Sequence, residues 1–251
     1  SLAKSSKQEH TKNYWLPKGS IMRCGGNRSV SDKIPAKDKL SMLLELRLQL
    51  ERRLAQPLPG NAAHALMAHE ERRKFFREQV IPEDAKISSV LFLLYVQDDA
   101  VHFPLIIRSS DGTVHSGQVG LPGGRYEEQD KALSTTAMRE TEEEIGVNQN
   151  KVTVLKKLTE VYIPPSNFFV QPFLGYTNKT PNFILQEDEV EDLIEVPLRH
   201  FMDDSIKSFQ NFSTSYAKNI EVPVFNLNNH RVWGATAMML SEVREMLKQL
   251  L

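Results

Sequence analysis

Gly123–Val147 reads GGRYEEQDKALSTTAMRETEEEIGV, and this stretch decides how the chain is to be understood. Two glycines and a basic residue precede a segment of helical character. Glutamates crowd its end, in Arg139-Glu140-Thr141-Glu142-Glu143-Glu144-Ile145-Gly146-Val147. Residues three and four apart share a helix face, so Glu140, Glu143 and Glu144 are expected on one side. Carboxylates that close together repel one another unless a cation sits among them, and hard oxygen donors suit Mg²⁺ or Mn²⁺. The plainer alternative is a solvated helix end. A carboxylate run at a helix C-terminus opposes the macrodipole, however, and without a cation it costs stability. Gly146 is well placed to end the helix in a left-handed conformation.

The spacing R-E-x-x-E-E-x-G-apolar resembles the second half of the Nudix box, G-x5-E-x7-R-E-apolar-x-E-E-x-G-apolar. That family hydrolyses nucleoside diphosphates linked to another group, with a divalent metal. The first half departs from the pattern. Five residues separate Gly124 from an acid, Asp130, but eight residues rather than seven then precede Arg139, and Thr141 stands where an aliphatic residue is usual. Upstream, Pro104-Leu-Ile-Ile-Arg108-Ser109-Ser110 and His115-Ser-Gly117-Gln118-Val-Gly-Leu121-Pro122-Gly123-Gly124 resemble the coenzyme A pyrophosphatase branch of the family. Glu189-Val190, Val196-Pro197-Leu198 and Arg231-Val-Trp233-Gly234 fit the same branch, whereas Gly112-Thr113 stands where that branch usually has Leu-Arg. The resemblance covers roughly residues 50–250.

The resemblance implies an α/β fold: an α/β/α sandwich around a mixed sheet, here with an N-terminal helical appendage. It also implies roles. Glu140 and Glu144 are the first choice as metal ligands, and Glu143 is a third ligand or the base that orients water. Glu189 is the candidate for a later acid or base, and Arg139 orients the neighbouring glutamates. Gly123 and Gly124 let the backbone pass close to metal and diphosphate. Arg108 ends an apolar strand beside the motif, where it meets substrate or makes a structural salt bridge. Arg125 touches a phosphate or lies on the surface. His115 contacts a phosphate or the nucleotide, or holds its own loop by hydrogen bonds. One of Phe168 and Phe169 stacks on adenine, with at least one of them core by default, and Trp233 faces a pocket or packs. The implied substrate is coenzyme A or another nucleoside diphosphate derivative, split to 3′,5′-ADP and a phosphopantetheine. ADP-ribose, a dinucleotide or a nucleoside triphosphate would keep the chemistry. A non-catalytic nucleotide-binding module would be expected to lose a metal-binding glutamate, and none is lost.

The 251 residues, 40% of them hydrophobic, are enough for a sizeable core. A net charge of −1 argues against nucleic acid as a partner. Charge is uneven: residues 1–39 hold nine Lys and Arg against Glu9, Asp32 and Asp38, as in a basic extension or anion-binding tail. Cys24 is the only cysteine, which fits a reducing compartment. No apolar signal stretch is visible and Val90–Val96 is too short to span a bilayer, so no membrane partner and a cytoplasmic location are expected.

Along the chain, Leu40–Ala55 has the leucine spacing of an amphipathic helix, and Asn61–Gln79 reads as a second helix. Together 40–80 form the appendage, which packs on the core or on a second subunit in a homodimer. A Nudix domain over 81–251 follows. Its strands are expected at Ile87–Val96, Val101–Arg108, Gln118–Leu121, Val152–Tyr162, Phe168–Tyr176 and Leu193–Val196, with helices at Asp130–Ile145 and 235–250. Asp98-Asp99 and Asp111-Gly112 mark turns.

Overall fold

In a computed structural model of the protein, residues 48, 51–78, 81–109, 117–212 and 220–248 are described, all within one compact unit that begins at Ile34. The expected extension 1–39, most of the helix Leu40–Ala55, the Gly112-Thr113 pair and His115 lie outside the described residues.

The architecture grows from strand β1 (Lys86–Gln97), buried from Ser88 to Val96. A strand buried on both faces reads as a continuous apolar run, and SVLFLLYV does so. Alternate side chains point to opposite faces and enter different cores. Leu91 and Leu93 join Ala137 and Ile145 beneath helix α3 (Leu133–Ile145). Val90, Phe92 and Leu94 join Leu240, Val243 and Met246 of the last helix, α5 (Gly234–Lys248). That double burial is the sandwich.

On one side β1 pairs antiparallel with β2 (Ala100–Arg108), through a two-residue turn in which Asp98 and Asp99 both have positive φ. This is the hairpin geometry whose twist matches the strands. On the other side β1 runs parallel to β7 (Phe168–Thr177), which makes the sheet mixed. The short strands β3 (Val119–Gly120) and β4 (Gly123–Arg125) pair with β2 and β1 respectively. Strands β5 (Val152–Lys157) and β6 (Val161–Ile163) both pair with β7, and β8 (Val190–Pro197) pairs with β2. The four-residue helix α4 (Leu198–Phe201) leads to a second sheet, ordered β11-β10-β9, from β9 (Lys207–Phe212), β10 (Ile220–Leu227) and β11 (His230–Val232).

Several elements differ from the sequence reading. The site helix starts at Leu133 rather than Asp130, because Glu128–Asp130 form a separate turn closed by a capping box with Glu127, and Lys131 is left-handed. Val152–Tyr162 is two strands, since the chain leaves β7 at Leu158–Glu160, where Thr159 turns its N–H and hydroxyl to Glu242. Asn61–Gln79 is broken into α1 (Asn61–Ala65) and α2 (Glu70–Glu78), and the break sinks Met67 and Ala68 into the core. The second sheet was not expected at all.

The appendage is fastened to α5. Glu242, fully buried, accepts from Gly60 N at 3.0 Å and from the Thr159 N–H and hydroxyl at 2.9 and 2.6 Å, with His64 Nε2 at 3.6 Å. Arg53 donates to Met246 O at 3.1 Å. Buried Arg244 donates to Phe201 O, Met202 O and Asp204. Among the described residues no helix is long and apolar enough to cross a membrane.

Candidate active site

Strand β4 lies between β1 and the site helix, and its two glycines set the geometry. Gly123 has φ +146, and a Cβ there would strike Ser89 O and the Val90 backbone. A Cβ on Gly124 would collide with the Glu140 carboxylate. Only glycine lets this strand press between β1 and α3. The reward of that approach is direct: Gly123 N donates to Glu144 Oε2 at 2.7 Å.

Glu144 is 1% exposed. Arg108, at the end of β2, spans it and the strand: Nη1 is 3.5 Å from Glu144 Oε1, and Nη2 donates to Gly123 O at 3.0 Å. Burial pushes the Glu144 carboxyl up to about 7. Arg108 and the Gly123 N–H oppose the rise, while the charges of Glu140 and Glu189 add to it. Glu140 is also raised, first by burial, with Arg139 opposing and Glu143 and Glu189 adding. Glu140, Glu144 and Glu189 therefore repel one another across a short space, although Glu189 comes from the 178–189 loop and not from the helix.

Arg139 is the hub beneath them. It donates through Nε and Nη2 to Asp130 at 2.8 and 3.0 Å, through Nη1 to Glu143 at 2.7 Å, and through Nη2 to Arg125 O at 3.1 Å, and Nη2 also pairs with Glu140 at 3.0 Å. The hydrogen bonds from Arg139 hold the Asp130 carboxyl down at about 2, against the effect of its burial. Sequence reasoning recognised Asp130 as standing at the acidic position of the box but gave it no role. Here it anchors Arg139, and the turn at Glu128–Asp130 brings it there despite the longer spacing. Thr141, in the usual aliphatic place, is fully buried and returns its hydroxyl to Ala137 O at 2.6 Å, so the helix satisfies it.

Glu143 does not join the other two glutamates as the face-sharing argument suggests. Its side chain is 56% exposed and tied to Arg139. Among the described residues no three His, Cys, Asp or Glu side chains are gathered as a ready-made metal cage. The donor set still suits a hard divalent ion: buried Glu144 and largely covered Glu140 one turn apart, a further acid, Glu189, in the cleft wall, and mutual repulsion to relieve. Mg²⁺ in particular uses one or two carboxylates, with waters and substrate phosphates completing its shell.

A cleft of about 1190 Å³ opens over this region. Arg108, Gly123, Gly124, Arg125 and Glu189 line it, as do Ser109 and Gln118. Arg125 is exposed, with its carbonyl on Arg139. Phe168 lines the cleft half-buried, with Lys86 Nζ 5.6 Å from its ring centre, whereas Phe169 is not part of the lining. Trp233 also lines it and stacks on Phe212 at 4.7 Å. The reading of the sequence missed the wall contributed by Met67–Arg72 and by β10. Neither carries a chemical motif, and the only available signal was the apolar pair Met67-Ala68 inside a charged helix.

The NUDIX domain family matches residues 86–213. Nudix hydrolase 22, chloroplastic, of Arabidopsis thaliana is 34% identical over 178 residues, covering 66% of this chain and 57% of that protein. The probable nudix hydrolase C6G9.05 of Schizosaccharomyces pombe is 30% identical, covering 63% and 55%. The mitochondrial coenzyme A diphosphatase NUDT8 of Homo sapiens is 31% identical, covering 50% and 53%. The chain thus spans little more than half the length of these curated relatives. With a family match over half the chain, and the glycine strand, arginine hub and glutamate helix all falling inside the matched residues, this protein belongs to the Nudix family.

Proposed function

We propose that the protein hydrolyses the diphosphate bond of coenzyme A or its derivatives, giving 3′,5′-ADP and the (acyl-)4′-phosphopantetheine. The observation that carries this reading is buried Glu144 held on the Gly123 N–H and beside Arg108, with Glu140 one helical turn away and Glu189 in the wall of a cleft that Arg108, Ser109 and Gln118 also line. The last three belong to the segment that resembles the coenzyme A branch, and a coenzyme A diphosphatase is among the relatives.

Glu140 and Glu144 would hold Mg²⁺ or Mn²⁺, with Glu143 or Glu189 as a further oxygen donor. When bound, such an ion shields phosphate charge and eases deprotonation of a coordinated water. The protein's own residues do the rest. Gly123 N–H and Arg108 fix the Glu144 carboxylate, and Arg139 fixes Glu140 and Glu143. Glu189, facing the cleft, takes the proton of the attacking water, a part that Glu143 would otherwise fill. The water oxygen bonds to one phosphorus, the bridging P–O bond breaks, and two monophosphates leave. Arg108 and Arg125 meet phosphate oxygens, and Phe168 stacks on the base. The occupant is a small molecule, with neither nucleic acid nor membrane required.

The test is mass spectrometry of products after incubation with Mg²⁺ or Mn²⁺ and, separately, coenzyme A, ADP-ribose, NADH and a nucleoside triphosphate. Release of 3′,5′-ADP, lost in Glu144→Gln, is the expected result. Turnover of ADP-ribose or NADH with coenzyme A untouched would transfer the activity to another diphosphate.

A further inference from the structure

Strand β8 loses the two-residue alternation of a strand just where it meets the site. Ile194 and Val196 enter the core shared with α5, and Leu193 packs against the core beneath α3. Val190 lies in that second core too, although it stands three positions from Leu193. The cause is a bulge. Ile107 pairs with Asp192 and Arg108 with Val190, so Glu191 has no partner across the ladder. A slip of one residue exchanges the two faces of a strand, and bulges beside active sites re-aim side chains in this way. The cleft is on the side of Ile194 and Val196, since Val90, Leu121 and Met238 of the same core line it. Had the register run on unshifted, Val190 would face the cleft and Glu189 the core beneath α3. The bulge exchanges them, and Glu189 lines the cleft.

The turn that carries Glu189 is then bonded on both flanks. Towards α3, Ile184 N donates to Ile145 O at 3.1 Å and Gln186 N to Glu144 O at 3.0 Å, and Gln186 O accepts from the N–H groups of Glu189 and Val190. Towards β2, Ser109 N donates to Glu189 O at 3.0 Å and the Ser109 hydroxyl to Asp188 O at 2.7 Å. Ser109 follows a residue that is itself fixed, because Arg108 N donates to Gln118 O and Arg108 O accepts from Gly117 N. A hydroxyl has one proton to donate. Ser109 gives its proton to Asp188 O and has none for a phosphate oxygen, although it stands in the cleft wall.

We propose that Ser109 is a positioning residue, which together with the bulge at Glu191 holds Glu189 where it takes the proton of the attacking water. The assignment rests on the diphosphatase reading and on the part of Glu189 in it. It gives Ser109 a duty in the rate of the reaction and none in grip on the substrate.

The test is steady-state kinetics with Mn²⁺ on coenzyme A, or on whichever diphosphate the native protein splits. The native chain is compared with Ser109→Ala, Ser109→Thr, Glu189→Gln and the double variant Ser109→Ala/Glu189→Gln, each checked for fold by circular dichroism. Glu189→Gln should lower kcat by about a hundredfold or more. Ser109→Ala removes one of the two bonds from Ser109 and should lower kcat by about tenfold, with KM within about twofold of native. Ser109→Thr keeps the hydroxyl and should restore the native rate. Once Glu189 is Gln, the further change Ser109→Ala should alter kcat by less than about twofold, because its effect passes through the missing carboxylate. An effect of Ser109→Ala on KM alone, or one that persists in full beside Glu189→Gln, overturns the positioning role and leaves the diphosphatase reading standing. So does a native rate in Ser109→Ala or in Glu189→Gln. A native protein that splits no diphosphate overturns both.

Discussion

Asp130→Asn isolates the anchor of the arginine hub with a change of one atom. Oδ2 of Asp130 accepts three bonds, from Glu127 N at 3.0 Å, the Thr136 hydroxyl at 2.9 Å and Arg139 Nη2 at 3.0 Å, while Oδ1 accepts Arg139 Nε at 2.8 Å. An amide has one accepting oxygen. Placed towards the three donors, it turns its NH₂ against Arg139 Nε; flipped, it abandons three bonds to keep one. Either way one charge-assisted bond is lost and a largely covered guanidinium edge faces a donor. Bonds to charged groups contribute about 1.5–3 kcal/mol, so we expect the folded state to lose about 2–3 kcal/mol. Urea denaturation at pH 7 measures this directly. The pH profile gives a second reading. The folded Asp130 carboxyl titrates at about 2, below its ordinary value of 3.8. Its contribution is therefore complete above pH 3.8 and fades as pH falls from there towards 2. The gap between native and Asp130→Asn should close over that window. A loss under 0.5 kcal/mol at neutral pH, or a gap that stays constant down to pH 2, would refute the assignment of Asp130 as the anchor.

Glu144→Gln should lower turnover by orders of magnitude with the fold retained by circular dichroism. Near-native rates would remove this helix from the chemistry. Without metal, Glu144 titrates at about 7 in the folded state against 4.5 unfolded. The folded state thus holds a proton that the unfolded state releases, and this group's contribution to stability declines as pH rises from 4.5 to 7. Thermal melts in EDTA at pH 8 should show Glu144→Gln more stable than the native chain; a lower melting temperature would contradict that sign. Gly123→Ala forces a Cβ onto backbone atoms at positive φ and should cost about 2–4 kcal/mol, read by chemical denaturation. Thr141→Val keeps the buried volume and loses only the bond to a carbonyl of its own helix. A change within about 1 kcal/mol is expected, and a larger one would mean that the hydroxyl has another function.

The glutamate helix, the demand for glycine at 123 and 124, and the central hairpin were legible because local chemistry dictates each; that the glycines themselves form a strand on β1 was not. Gly146 does end the helix left-handed, with φ +73 and its N–H on Glu142 O. Continuous burial of SVLFLLYV follows from its lack of polar alternation. What escaped was set by partners distant in sequence. Glu143 shares the helix face of Glu140 on paper, and Arg139 pairs with both, but Glu143 stays exposed while Glu140 is largely covered, a difference helical periodicity does not tell. Glu189 reaches the site through a loop that no periodicity describes. Strands β9 to β11 carry mixed polar and apolar residues, as in Lys207–Phe212, because one face of that sheet is partly open. Leu158–Glu160 read as continuous strand, since nothing local announces that Thr159 will prefer Glu242 to the sheet.

The fastening of Gly60 to Glu242 joins residues 182 positions apart. In a chain made from its N-terminus, the segment around Gly60 and His64 emerges first and its acceptor among the last. At ordinary synthesis rates of about 5–20 residues per second the wait is roughly 10–40 s. Throughout it Ala63, Met67 and Ala68 have no helix to cover them. The earliest part of the core is thus the last to be sealed, so an arrest or cleavage before residue 242 would leave a nearly whole domain with its first apolar segment still open to other chains.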